Sequence, residues 1–136
     1  MKKTILGLCM VIAATGCGVK MDITKANGIS GTEICIVDNK SVKQDFRDAY
    51  ERQIQQRGYT TKIVEAIDAC PTATTYTATY GMHWGVYLAT SILKIYSSGK
   101  EIGEARYEAP FSSPQKHGRV EDKIKAMVVK LLPRGK

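Results

Sequence analysis

Nucleophile motifs, metal-ligand clusters and long apolar runs are what this chain lacks. No Gly-x-Ser-x-Gly elbow or serine-lysine signature occurs in its 136 residues, so no side chain is marked as an activated nucleophile. Two histidines, His83 and His117, stand far from each other and from the cysteines, and no CxxC pair is present, which makes a poor zinc set. Asp38, Asp68, Glu101 and Glu104 could supply carboxylates for glycoside chemistry, but nothing in their spacing selects a pair. Asp45, Asp48 and Glu51 read as the solvated face of a helix, with Asp48 and Arg52 spaced to pair. No internal repeat or low-complexity tract appears. The expectation is a protein that is not an enzyme and holds no cofactor or metal.

What is present begins at the first residues. Lys2 and Lys3 precede an apolar stretch from Thr4 to Ala13, and Ala14-Thr15-Gly16 lead into Cys17. The stretch is far shorter than the ~20 apolar residues that span a bilayer, so it reads as a cleaved signal peptide over residues 1–16. Small residues ahead of a cysteine resemble the lipobox of bacterial lipoproteins, with Ala14 where Leu is commoner. The resemblance implies a diacylglycerol on the Cys17 sulfur, cleavage before Cys17 and acylation, as with palmitate, of the freed amine. An ordinary secretory signal, with Cys17 incidental, is the competing reading. Gly18 rather than Asp follows the cysteine, which by the sorting rule of enteric lipoproteins implies the outer membrane.

Loss of the leader leaves 120 residues, enough for one domain with a single core. Its two lysines leave with it, so the net charge falls from +7 to +5. A periplasm-facing position removes nucleic acid as a partner, while modest positive charge suits anionic lipid, lipopolysaccharide or acidic protein surfaces. Cys9 leaves with the leader and Cys17 takes the lipid. Cys35 and Cys70 then form a pair in an oxidising compartment, where a structural disulfide outweighs a redox or metal role.

Residues 17–32 hold three glycines and no sustained period after the cysteine, so they read as a lipidated Cys and flexible tether. A single domain is expected over 33–136. Ile34-Cys35-Ile36-Val37 suits a strand covered on both faces. Ser41 with Gln44 reads as a capping box, Val42, Phe46, Tyr50 and Ile54 form the apolar stripe of a helix, and Gly58 ends it. Thr60 to Ile67 alternates as a second strand, parallel to the first, and the helix between them can bring Cys35 near Cys70. Thr75–Tyr80, Val86–Tyr96 and Glu101–Ala109 read as further strands, the last two joined at Ser98-Gly99. Val120, Ile124, Met127, Val128 and Leu131 mark a final helix stopped by Pro133. The predicted fold is α+β: a two-layer sandwich with a mixed sheet of four to five strands, order β-α-β-β-β-β-α, and two helices on one face.

Within this layout stands Tyr76-Thr77-Ala78-Thr79-Tyr80-Gly81-Met82-His83-Trp84-Gly85-Val86-Tyr87-Leu88-Ala89, followed by Lys94-Ile95-Tyr96-Ser97-Ser98-Gly99-Lys100-Glu101-Ile102-Gly103-Glu104-Ala105. With the lipobox and the two cysteines, this pattern resembles the uncharacterised Sbal-type family of small proteobacterial lipoproteins. The resemblance covers nearly the whole mature chain and implies a fold and a compartment, with no catalytic residues to carry over. More coarsely, the element order resembles small α/β domains of envelope lipoproteins that activate penicillin-binding proteins or act as periplasmic assembly factors.

The bend at His83 and Trp84 is the one place where a titratable group meets an exposed-looking turn. Trp84 with Tyr80, Tyr87 and Tyr76 could stack on a glycan, or these rings could simply pack on the sheet. His117 reads as a loop residue, within sequence reach of Ser112 and Ser113. The expected role is a binding or accessory domain, anchored to the outer membrane through Cys17 and facing the periplasm, with an envelope protein or cell-wall component as partner. A peptidoglycan- or lipid-acting hydrolase and a lysozyme-type inhibitor are the alternatives.

Overall fold

The computed structural model describes residues 18–136; the leader expected over 1–16 and Cys17 lie outside the described residues. In chain order the elements are β1 (Lys20–Thr24), β2 (Glu33–Val37), α1 (Gln44–Gln56), β3 (Thr60–Val64), β4 (Thr72–Met82), β5 (Val86–Ser97), β6 (Lys100–Glu108) and α2 (Val120–Leu131). Short 3₁₀ turns at Ile67–Ala69 and Pro114–Lys116 complete them. The strands form one sheet ordered β1-β6-β5-β4-β2-β3. β2 runs parallel to β3 and β4, and the remaining neighbours are antiparallel. The α+β class, the mixed sheet and the two helices agree with the sequence; the sheet has six strands where four to five were expected.

The sixth strand is β1, and it corrects the flexible tether expected over 17–32. Met21 and Ile23 pack against the core while Lys20, Asp22 and Thr24 face solvent. The strand pairs with β6 from Lys20 opposite Glu108 to Thr24 opposite Glu104. Such pairing covers a sheet edge that would otherwise present free backbone groups. Ala26 then seats on Gly103, where any Cβ would meet its Cα at 2.7 Å, and its N–H donates to Leu131 O at 2.8 Å. The folded domain therefore begins well before residue 33.

The core lies between sheet and helices. Phe46 and Tyr50 of α1 meet the Tyr76 ring at centroid distances of 5.9 and 6.1 Å, and Tyr50 Oη lies 2.6 Å from Thr74 Oγ1. Ile124, Met127, Val128 and Leu131 bring the predicted stripe of α2 into the same core. The capping box is corrected: α1 starts at Gln44 without a side-chain cap, and the preceding turn is made by Asn39. Asn39 Oδ1 accepts the Ser41 N–H, and its Nδ2 donates to Tyr76 O, each at 3.0 Å. A side-chain turn of this kind offers the backbone what a cap would have offered. Gly58 does follow the helix, at φ 101°.

Cys35 and Cys70 are joined by a disulfide, with Cα atoms 6.2 Å apart. Glu33 lies beside the bridge, and since both sulfurs are bonded the cluster offers no thiolate to a metal. Closing a loop of this length stabilises the domain by roughly 3 to 4 kcal/mol in the chain-entropy model. No helix among the described residues is long and apolar enough to cross a membrane.

Candidate functional site

β4 and β5 form a long ribbon whose last pair is Met82 opposite Val86, closed by His83-Trp84-Gly85. A register shift after Thr79 bends the ribbon before this tip. Trp84 holds φ at 59°, a left-handed conformation that costs a bulky L-residue roughly 1–2 kcal/mol. The turn thereby drives the indole outward, and Trp84 is 93% exposed. Met82 (69%), Val86 (55%) and Phe111 (63%) are exposed with it, although apolar side chains of this size are usually buried. Met82, Trp84 and Val86 are exposed together at the ribbon tip and Phe111 is stacked on the adjoining His83, an apolar end of the kind that marks an interaction site.

A buried lysine fixes the loop behind the patch. Lys116 is 3% exposed, and its ammonium donates to Phe111 O and to His83 Nδ1. The same ammonium lies 4.8 Å from the Phe111 ring centroid and 5.4 Å from that of Tyr87. Aromatic faces and two acceptors thus take the place of a carboxylate as its counterpart. An ammonium only donates, so His83 Nδ1 is the unprotonated nitrogen and Nε2 carries the hydrogen. Burial, then the Lys116 charge and His117, hold His83 below the usual imidazole range. Lys123 donates to Lys116 O, and burial pushes its own ammonium below the usual lysine range.

The four residues singled out as a binding surface separate here. Trp84 is open to solvent and His83 is half-buried, its ring centroid 4.3 Å from that of Phe111. Tyr80 is half-buried beneath Lys43, whose ammonium stands 4.7 Å from the ring centroid. Tyr87 is buried, packed on Gly81 with the His117 ring across it at 5.8 Å, and Tyr76 belongs to the core. A shared platform of Trp84, Tyr80, Tyr87 and Tyr76 is therefore replaced by Trp84 with Met82, Val86 and Phe111. Sequence reasoning missed these companions and Lys116, because a lysine in a loop beside Pro114 and Gly118 carries no local sign of burial. Beside the tip, Phe46, Tyr80, Val86 and Val120 line a groove of about 440 Å³ with Lys43 and Arg119 at its rim.

Groups named for catalysis are engaged or apart. Asp38 accepts from Arg47 at 3.1 Å and from the Tyr76 hydroxyl at 3.3 Å. Glu104 is paired with Arg106, whose hydrogen bond holds its carboxyl below the usual range. Ser113 Oγ is buried with no hydrogen-bond partner, and His117 faces the Tyr87 ring. A concavity of about 640 Å³ lies at the opposite end of the sheet, lined in part by Lys25, Ile29, Tyr59 and Arg134 and by no carboxylate side chain.

No family model and no curated protein matches the chain. Among solved structures it is similar to a PDZ domain protein from Parabacteroides distasonis, at 11% identity and a TM-score of 0.41. That match covers 82% of this chain and 35% of the other, so this chain spans little more than a third of that one.

Proposed function

We propose that this chain is a lipoprotein of the Sbal-type pattern, anchored to the outer membrane through Cys17, whose periplasm-facing domain works by binding as an accessory module of the envelope. The observation that carries the binding role is the exposed cluster of Met82, Trp84, Val86 and Phe111 on a turn held against Lys116. The strained backbone at Trp84 supports it, because a conformation that costs stability persists where the side chain has a use. The anchor is supported by Ala14-Thr15-Gly16-Cys17, and the export it implies by the Cys35–Cys70 bridge. A hydrolase or a lysozyme-type inhibitor has less support: Asp38 and Glu104 are held by arginines, and Ser113 has no partner.

Cells grown with labelled palmitate test the anchor. The wild-type chain is expected to carry label and to fractionate with the outer membrane, and Cys17→Ser to carry none; an unlabelled wild-type chain overturns the reading. A photoreactive residue at position 84 tests the contact surface in intact cells. Covalent capture of an envelope component is expected, and absence of any adduct refutes the binding role assigned to the tip.

A further inference from the structure

Gly18, the first described residue, sits at the same end of the molecule as the apolar tip. A Cβ at Gly18 would lie 3.5 Å from Gln115 Oε1, in the turn whose next residue, Lys116, bonds to His83 and Phe111. The sheet register agrees. Lys20 pairs with Glu108, Glu108 with Thr90, and Thr90 with Thr79, three residues below the closing pair Met82 and Val86. Cys17 directly precedes Gly18 in the chain. β1 takes up the residues that would otherwise have been slack, and no length of free chain separates the attachment point from the domain.

We propose that the bilayer carrying the Cys17 lipid is itself the occupant of the patch: Trp84, Met82, Val86 and Phe111 dock into the membrane interface and fix the domain's orientation on the leaflet. This rests on the lipid-anchor reading above and names the partner of the same surface. The chemistry fits. An indole prefers the headgroup level, where its apolar ring and its N–H are both satisfied, and three apolar side chains around it suit the upper acyl region. With Gly18 already beside Gln115 and Val19 packed on the core, the second contact is effectively intramolecular, so even weak affinity of the tip for lipid keeps it engaged. The solvated face of the sheet, with Thr77, Thr79 and Thr90 exposed, then remains free toward the periplasm.

Trp84 is the only tryptophan in the chain, so its fluorescence reports the contact directly. The full chain, expressed with its leader and purified from membranes, is reconstituted into phosphatidylethanolamine–phosphatidylglycerol vesicles with plain or brominated acyl chains, and its intact mass is measured. An acylated mass, a blue-shifted emission, loss of about half the emission or more to the brominated lipid, and weakened quenching by aqueous acrylamide are expected. The double variant Met82→Ser, Val86→Thr, at two exposed positions outside the Lys116 cage, should keep its melting transition and lose most of the bromine quenching. An acylated protein whose Trp84 is untouched by brominated lipid overturns the docking and leaves the anchor standing. Shielding from acrylamide without bromine quenching points to a second copy or another protein and also overturns it. An unacylated protein overturns the anchor, and the docking with it.

Discussion

Gly81 lies beneath the ring of Tyr87, so close that a Cβ at position 81 would meet Tyr87 Cζ at 2.5 Å. The two residues are opposite each other in the β4–β5 register, one pair below the tip. A glycine in a strand marks close approach, and here the approaching group is the ring that also forms one wall around the Lys116 ammonium.

Gly81→Ala should therefore dislodge Tyr87 and loosen the Lys116 cluster, lowering stability by about 1–3 kcal/mol as overpacking does. Thermal or urea melts measure this. Because the clash is with one ring, the cost should shrink when Tyr87→Ala is already present, and a double-mutant cycle would show it as coupling between the sites. Additive losses would mean that the ring moves aside freely.

The Cys35–Cys70 bridge ties β2 to the turn after β3. Replacing both cysteines by alanine should cost about 3 kcal/mol through the freer unfolded chain, without altering the sheet. Circular dichroism of the reduced and oxidised forms should overlay while their denaturation midpoints differ. Coincident midpoints would remove the stabilising role.

His83 makes stability depend on pH. Burial, then Lys116 and His117, hold its imidazole below the ordinary value of 6.5, so the unfolded chain binds this proton more readily than the folded one. Stability then rises with pH: the contribution is complete above 6.5 and is lost as pH falls below that value toward the lower folded one. His83→Asn places an amide oxygen where Nδ1 accepts from Lys116 and does not titrate. Melting temperatures compared between about pH 7.5 and about pH 5.5 should fall further for wild type than for His83→Asn. Parallel curves would show that the bond to Lys116 does not sense the proton.

Much of this was legible in the residues, for reasons that also explain the failures. The stripes of α1 and α2, the run Ile34 to Val37 and the turn at Ser98-Gly99 are local signals, and each sits where its period or its turn chemistry places it. β1 alternates for only five residues, and its partner β6 lies some eighty positions away, so its pairing has no local signature. The Asn39 turn displaced the Ser41 cap because Tyr76, distant in sequence, supplies partners for the Asn39 backbone and side chain. At the site, Trp84 was visible as an aromatic between glycines. Its setting was not, since a buried lysine caged by His83, Phe111 and Tyr87 exists only once β4, β5 and the loop after β6 are brought together.

Trp84→Asn separates the two demands on the tip. Asn accepts the left-handed conformation that Trp84 holds at φ 59°, and it removes an indole that is 93% exposed. The folded state loses almost no packing and sheds backbone strain, so the variant should melt at the wild-type temperature or higher, by up to about 1 kcal/mol of added stability. If the tip docks on the membrane as proposed, that contact depends on the indole itself. With the lipid still on Cys17, the domain should stay in the membrane fraction but lose its fixed orientation, which limited proteolysis of vesicle-bound protein would register as faster cleavage near residues 82–86. A gain in stability with faster cleavage is the signature of a residue kept for binding at the fold's expense. A destabilised Trp84→Asn with unchanged cleavage would instead make the tryptophan part of the fold.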